Sequence, residues 1–214
     1  RLWQLQVGQC IEVWGPLGNG FGASHHSPLT THHSPSAKPP PVPTEHLILV
    51  AGGIGFTPFL ALSQEALHKK SYGDPPRAAS RALHITYCYG ARSADYFADL
   101  AAFEQLGVEI RLTTDDGSRG RHGLVTELLP DVLAGHHGRP HIVCCGPEKM
   151  MEAVAAIARE ANVPCEVSLE TPMACGIGIC FTCVAKVRQA DGDWDWKRTC
   201  VEGPVFDAEE IWWP

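Results

Sequence analysis

The sequence predicts an α/β fold: a parallel sheet covered by helices, with a short β segment before it and a small β-rich unit after it. Three observations carry this. Near-continuous apolar runs of strand length recur, beginning with His46-Leu47-Ile48-Leu49-Val50-Ala51, as in strands buried on both faces. Segments of helical period separate them, which implies parallel pairing. After Val163 the alternation stops and a stretch rich in cysteine and glycine begins.

In chain order, residues 1–45 hold Gln9-Cys10-Ile11-Glu12-Val13-Trp14, read as a short strand, and the turn Gly15-Pro16-Leu17-Gly18-Asn19-Gly20-Phe21. The turn's glycines imply a tight bend or a close backbone approach. Residues 22–44 contain His25-His26, His32-His33 and Pro39-Pro40-Pro41 and too few apolar side chains to pack, so a flexible linker is expected. Its paired histidines imply at most adventitious metal binding. Residues 46–163 form the α/β unit, with strands at 46–51, 82–89, 108–113 and 141–145. Helices are expected over 57–69, 96–106, 124–133 and 147–161. Residues 164–214 form the β-rich unit, opening on a strand at 165–169. No internal repeat is visible.

Composition narrows the function. With 44% hydrophobic residues, 19% charged residues and a net charge of −7, the chain gives no reason to expect nucleic acid or an anionic membrane as partner. No apolar run approaches the roughly 18–20 residues of a membrane helix. Arg1-Leu2-Trp3-Gln4 carries neither a signal-peptide pattern nor an initiator Met, so a truncated start is expected. Nine cysteines, an odd count, fit reduced thiols in the cytoplasm better than a disulfide framework.

The densest chemistry is Cys175-x4-Cys180-x2-Cys183 with Cys200 beyond it. This is the plant-type spacing for a [2Fe–2S] centre. Gly176 and Gly178 let the loop wrap a cluster closely and turn N–H groups toward sulfur, where they tune its potential. Zinc is the rival metal, but structural zinc sites usually carry two C-x2-C knuckles and here there is one. Cys88, Cys144, Cys10 and Cys165 read as core thiols.

Two turns suit a nucleotide. Gly52-Gly53-Ile54-Gly55-Phe56-Thr57-Pro58 joins a buried strand to a helix, where N–H groups and the helix N-terminus attract phosphate. It is not the G-x-G-x-x-G fingerprint, and glycines can serve a turn alone. Cys144-Cys145-Gly146-Pro147 lies at a strand's carboxyl end, the edge that binds ligands in open α/β sheets. It reads equally as a helix start. Arg92, after the second strand, is either a ribose contact or a solvated surface arginine. Asp115-Asp116 reads as a turn, His84 and His141 as structural. No catalytic acid, base or nucleophile constellation is visible.

Together the two turns resemble the NAD(P)-binding half of the ferredoxin reductase superfamily. The resemblance assigns Gly52, Gly53, Gly55 and Pro58 to the pyrophosphate and Cys145, Gly146 and Pro147 to the nicotinamide. With Met173-Ala174-Cys175 and Lys197-Arg198-x-Cys200-x-x-Gly203-Pro204-Val205-Phe206, the chain resembles the electron-transfer subunit of type B dihydroorotate dehydrogenase over nearly its whole length except 22–44. That resemblance implies a nucleotide domain of ferredoxin reductase type, a remnant of a flavin-binding β-barrel before it, and a small [2Fe–2S] domain after it. It implies FAD, a cluster on Cys175, Cys180, Cys183 and Cys200, and NAD as acceptor. It also implies a catalytic partner subunit carrying FMN, in a heterotetramer serving pyrimidine biosynthesis. Family members bear an Arg-Pro-x-Ser-type flavin motif that this chain lacks, so weak FAD binding by the chain as it stands is expected. The flavin subunit of NADPH–ferredoxin oxidoreductases is a cousin that resembles the chain overall but has aspartate where Cys175 stands. A non-catalytic cluster-binding or zinc-binding interaction module is the other alternative. Ile177, Ile179 and Phe181 in the cluster loop, with Ile211, Trp212 and Trp213 at the end, form the expected partner surface.

Overall fold

The computed structural model describes residue 4 and residues 6–11, 17–21, 45–72, 81–135, 137–189 and 191–213. The segment 22–44 and half of the expected first strand, residues 12–14, lie outside these residues; 6–11 and 17–21 form no strand.

Among the described residues there are nine strands and four α-helices: β1 (His46–Gly52), α1 (Phe59–Ala66), β2 (His84–Ala91), α2 (Leu100–Leu106), β3 (Glu109–Thr114), β4 (Arg121–His122), α3 (Leu129–Leu133), β5 (Pro140–Cys145), α4 (Glu148–Glu160), β6 (Cys165–Ser168), β7 (Val184–Arg188), β8 (Trp194–Arg198) and β9 (Val205–Asp207). Seven strands make one sheet in the order β4-β3-β2-β1-β5-β6-β9. All its pairs are parallel except β6–β9. β1 is buried along its whole length, as its unbroken apolar run requires.

Several helices are shorter than their periodicity suggests, each for a local reason. Gly53–Phe56 forms a 3-10 turn ahead of α1, and His68, at φ +56°, stands just past its end. Asp99 at φ +55° breaks the segment expected at 96–106, so only Leu100–Leu106 is α-helical, ending on Gly107 at φ +76°. α4 is the most complete helix. Met151, Val154, Ala155 and Ala158 form its buried stripe, with Glu148 in the first turn and Arg159 in the last, as the helix dipole favours.

The sheet divides two cores. Ile48, Val50, Cys88, Ile142 and Cys144 pack against α3 and α4. Leu49, Tyr87, Tyr89 and Val143 pack with Phe59 of α1 and Phe103 of α2 on the other face. β1 pairs with β2 on one side and β5 on the other, so the chain reverses direction across the sheet between β1 and β5. The carboxyl ends of those two strands form the crevice where open sheets of this kind bind ligands.

The cysteine-rich segment is an excursion from this sheet. It leaves after β6 and returns as β9, with Ser168 opposite Val205. Within it, β7 and β8 form a separate two-stranded hairpin. Residues 17–21 bind where the excursion returns. The Asn19 side-chain amide donates to the Val205 carbonyl at 2.8 Å and accepts from the Val205 N–H at 2.9 Å, imitating a strand partner. Gly18 lies so close that a Cβ there would sit 2.1 Å from the Gly203 oxygen, the close approach its sequence implies. Phe21 then inserts beside Phe59, ring centroids 5.9 Å apart.

Candidate cluster and nucleotide sites

The loop 175–183 takes its shape from left-handed backbone: Gly176 at φ +66°, Gly178 at φ +82° and, unusually for a non-glycine residue, Phe181 at φ +54°. Such turns direct successive N–H groups inward. The Ile177 N–H donates to Cys175 Sγ at 3.4 Å. Hydrogen bonds from the Ile177 and Ile179 N–H groups, joined by the Cys180 thiol, pull the Cys175 thiol down to about 6. Cys183 and Cys200 come from below, both buried, with their sulfurs 3.0 Å apart. Burial, then the neighbouring Cys183 thiol, pushes Cys200 up to about 11; burial also raises Cys183, but its hydrogen bond with Cys200 outweighs this and leaves it lowered. The Cys175 charge adds a smaller push in the same direction on Cys200.

Arg198, at the end of β8, braces the loop. Its Nη1 donates to the Gly178 carbonyl at 2.7 Å, its Nη2 pairs with Glu202 at 2.9 Å, and its guanidinium lies 4.8 Å from the Phe181 ring centroid. The Thr199 N–H donates to the Cys183 carbonyl at 2.7 Å, fixing the approach of Cys200.

This donor set fits a two-iron cluster. Thiolates and inward N–H groups are what an anionic iron–sulfur centre requires. Above the loop, a Cβ on Gly176 would meet nothing within 4 Å. A single tetrahedral zinc would need its four sulfurs within about 3.8 Å of one another, from zinc–sulfur bonds of about 2.3 Å. The four thiols do not converge in that way: among the described residues, the three metal-binding side chains whose donor atoms all lie within 4.8 Å of one another are His84, Glu109 and His137.

At the carboxyl edge the two expected turns meet. A Cβ on Gly55 would fall 2.1 Å from the Cys145 carbonyl oxygen; one on Gly52 would strike Met150 and Pro147; one on Gly146 would strike Met150 and the Gly52 backbone. These three glycines therefore serve contact between the turns. Gly53 differs. It holds φ +53°, and its Cβ direction is open for 4 Å. Pro58 caps α1 and Pro147 caps α4. The Cys145 thiol is raised by burial, partly offset by a hydrogen bond with Ser168. It thus sits between the crevice and β6, whose far side leads to the cluster excursion. Arg92 is exposed at the same edge, its carbonyl accepting from the Asp116 N–H. The Asp116 carboxylate accepts from Ser118, as a turn residue does.

Beside Cys175 lies a hollow of about 400 Å³ lined by Leu17, Met173, Cys175, Gly176 and Ile177. Met173, Ile177, Ile179 and Phe181 are about half exposed or more, an apolar rim around the cluster loop. The chain end departs from expectation. Ile211 is buried and bridges to Val187, and Trp213 packs on the core beneath α4. Only Trp212 faces solvent, 37% exposed under the Arg188 guanidinium. The tail anchors its own hairpin, and the exposed apolar surface belongs to the loop. Sequence reading missed Asn19 and Arg198 as organisers of this region. Arg198 carried one signal: an arginine two residues before a cluster cysteine.

A family model described as the iron–sulfur cluster binding domain of dihydroorotate dehydrogenase B matches residues 170–212, and one described as an oxidoreductase NAD-binding domain matches residues 49–156. The chain is 35% identical over 212 residues to the dihydroorotate dehydrogenase B (NAD(+)) electron transfer subunit of Caldanaerobacter subterraneus, covering 99% of this chain and 70% of that one. It is 32% identical to the same subunit of Clostridium perfringens, covering 95% and 67%. A solved structure of NADH-dependent reduced ferredoxin–NADP oxidoreductase superposes with a TM-score of 0.66 at 30% identity, over 95% of this chain and 60% of that chain. Among the described residues, no helix is long and apolar enough to cross a membrane.

Proposed function

We propose, from the premise that this chain belongs to the family of dihydroorotate dehydrogenase B electron transfer subunits, that it relays electrons between an FMN-bearing catalytic subunit and NAD in pyrimidine biosynthesis. The observation that carries this is two pairs of thiols in one segment, Cys175 with Cys180 and Cys183 with Cys200, with inward N–H groups and an exposed apolar rim, beside a sheet with a nucleotide crevice. Cys175, Cys180, Cys183 and Cys200 would hold a [2Fe–2S] cluster. Gly52, Gly53, Gly55 and Pro58 would receive the NAD pyrophosphate, and Cys145, Gly146 and Pro147 the nicotinamide. In this reading 46–163 is the NAD-binding unit and 164–214 the cluster unit.

The cluster, when bound, exchanges single electrons, NAD takes a hydride, and FAD supplies the chemistry that converts one into the other. The chain's residues bind and orient. Gly53 lets the pyrophosphate approach the backbone, and the start of α1 adds partial positive charge. Arg198 holds the loop while leaving Met173, Ile179 and Phe181 outward to meet the partner. The hollow beside Leu17 and Gly176 keeps apolar surface against Cys175. The partner is the catalytic subunit, assembled with this chain as a heterotetramer in the cytoplasm.

The test is co-expression with a type B catalytic subunit. The complex should reduce NAD with dihydroorotate as donor, and Ile179→Asp/Phe181→Asp should abolish co-purification while leaving iron content intact. A complex that turns over only with ferredoxin would overturn the assignment.

A further inference from the structure

The opposite edge of the sheet, where the parallel strands begin, carries a second cluster of metal-binding side chains. Parallel register sets it up. His46 and His84 stand directly opposite each other as the first residues of β1 and β2, and Glu109 opens β3 opposite Thr86. The loop before β5 adds His137, fixed by the Arg139 carbonyl accepting from the His46 N–H and by the Glu45 carboxylate accepting from the Arg139 N–H. The result is three imidazoles in mutual contact: His84 stacks on His137 at 4.0 Å between centroids, and His46 meets both edge-on at 4.9 and 5.1 Å.

We propose that His84, Glu109 and His137 bind one divalent transition-metal ion of the zinc, cobalt, nickel or copper class. Their donor atoms lie within 4.8 Å of one another. A tetrahedral ion bonded at about 2.0–2.2 Å to each needs donor separations of roughly 3.3–3.6 Å, so closing the set requires the exposed His137 ring to turn out of its stack on His84. Two imidazoles and one carboxylate are the ligand chemistry these metals prefer. The surroundings orient the ligands as metal sites require. Arg111 occupies Glu109 Oε1 at 2.8 Å, leaving Oε2 for the ion. The Thr86 hydroxyl donates to Glu109 Oε2 at 3.3 Å and lies 2.8 Å from His46 Nε2, so His46 donates to it and the carboxylate is held from behind. His137 is exposed, and the His84 and Glu109 side chains are each about one-third exposed, so water has a route to the ion's remaining position. The His84 Nε2–Glu109 contact at 3.0 Å is a hydrogen bond in the absence of metal. On binding, His84 shifts its ring proton to Nδ1, and no electron is transferred. The ion would pin the loop before β5 to β2 and β3, some 20 Å along the strands from the nucleotide turns, taking about 3.3 Å per residue.

The test uses full-length, cluster-loaded protein. Zn²⁺ is titrated calorimetrically against a competing chelator, and Cu²⁺ EPR reports nitrogen hyperfine coupling. One site with two coordinating imidazoles is expected, with a metal-dependent rise in melting temperature. His137→Ala, compared with its own metal-free protein, should weaken Zn²⁺ at least about tenfold and remove the metal-dependent rise; Glu109→Gln should act in the same direction. Replacing His25, His26, His32 and His33 with Ala should change neither. Undiminished binding by His137→Ala overturns the proposal. So does loss of binding with the four-histidine variant, or release of iron in step with Zn²⁺ uptake.

Discussion

The molecule treats its cysteines in two opposite ways. In the sheet, Cys88, Cys144 and Cys165 are buried among apolar side chains. Burial pushes Cys88 and Cys165 up to about 12 and Cys144 well above its ordinary value. In the excursion, Cys175 is drawn down to about 6 by backbone N–H groups. The same side chain is a small hydrophobe in the sheet and, at Cys175, an incipient thiolate, whereas the buried Cys200 of the excursion is raised like the sheet thiols. Backbone geometry decides which: regular strands spend their N–H groups on one another, whereas a loop with repeated positive φ has N–H groups left to aim at sulfur. The sheet needs nothing further to fold. The excursion, with a two-stranded hairpin and an exposed loop, leans on whatever its thiols hold.

The largest effect should come from breaking that dependence. Cys180→Ser should take iron and sulfide from about two each per chain to near zero and eliminate the reduced-state EPR signal. Far-UV circular dichroism of the sheet should persist. If stoichiometric zinc without sulfide appears in the unmutated protein, the contrast is drawn around the wrong metal.

Next comes the sheet. Gly55→Ala forces a Cβ onto the Cys145 carbonyl and should cost about 3 kcal/mol in urea unfolding, with cluster content per folded chain unchanged. A loss of cluster instead would mean that the two regions fold as one.

Alkaline pH probes the core thiols. In the unfolded chain Cys88 ionises near its ordinary value; in the sheet it resists until about 12. The unfolded state therefore holds fewer protons in that window, and stability falls as pH rises through it. Between pH 8 and 10.5 the loss attributable to Cys88 should be about 2 kcal/mol, seen as the difference between the unmutated protein and Cys88→Ala. Parallel curves for the two would show that Cys88 is not sealed from water.

The smallest effect on stability separates binding from structure within one turn. Gly53→Ala meets no neighbour, so only its left-handed backbone is penalised, by about 1 kcal/mol. NAD(H) affinity measured by calorimetry should nonetheless fall about tenfold. Unchanged affinity would reduce the whole turn to packing.

Much of this was legible in advance, because some signals are local. The unbroken run at 46–51 marked β1, the glycines marked a tight turn at its end, and the cysteine spacing singled out a segment in which the Cys183 and Cys200 sulfurs lie 3.0 Å apart and the Ile177 N–H meets Cys175. What was illegible depends on partners distant in the chain. Nothing in Cys165–Ser168 says that it extends the sheet in parallel, or that Val205–Asp207 will return to close the edge. Asn19 is an ordinary turn residue until Val205 lies beside it. His84 reads as a structural histidine because Glu109 and His137 come from other elements. Trp213 looked like an exposed anchor because sequence gives its size and position but not the floor of α4 beneath it.

The pairing of Ser168 with Val205 has one more implication. Those residues face each other across adjacent antiparallel strands, about 5 Å apart, so a two-residue turn could join them directly. Everything between them is an inserted cassette whose two ends emerge at a single point on the rim. The loop that carries the thiols can vary in length and sequence without disturbing strand order, provided the hairpin keeps its contacts with the chain end at Val187 and Ile211. A redox centre mounted this way is exchangeable, and grafting a foreign metal-binding loop between Ser168 and Val205 is a practical route to a nucleotide-linked carrier of altered potential.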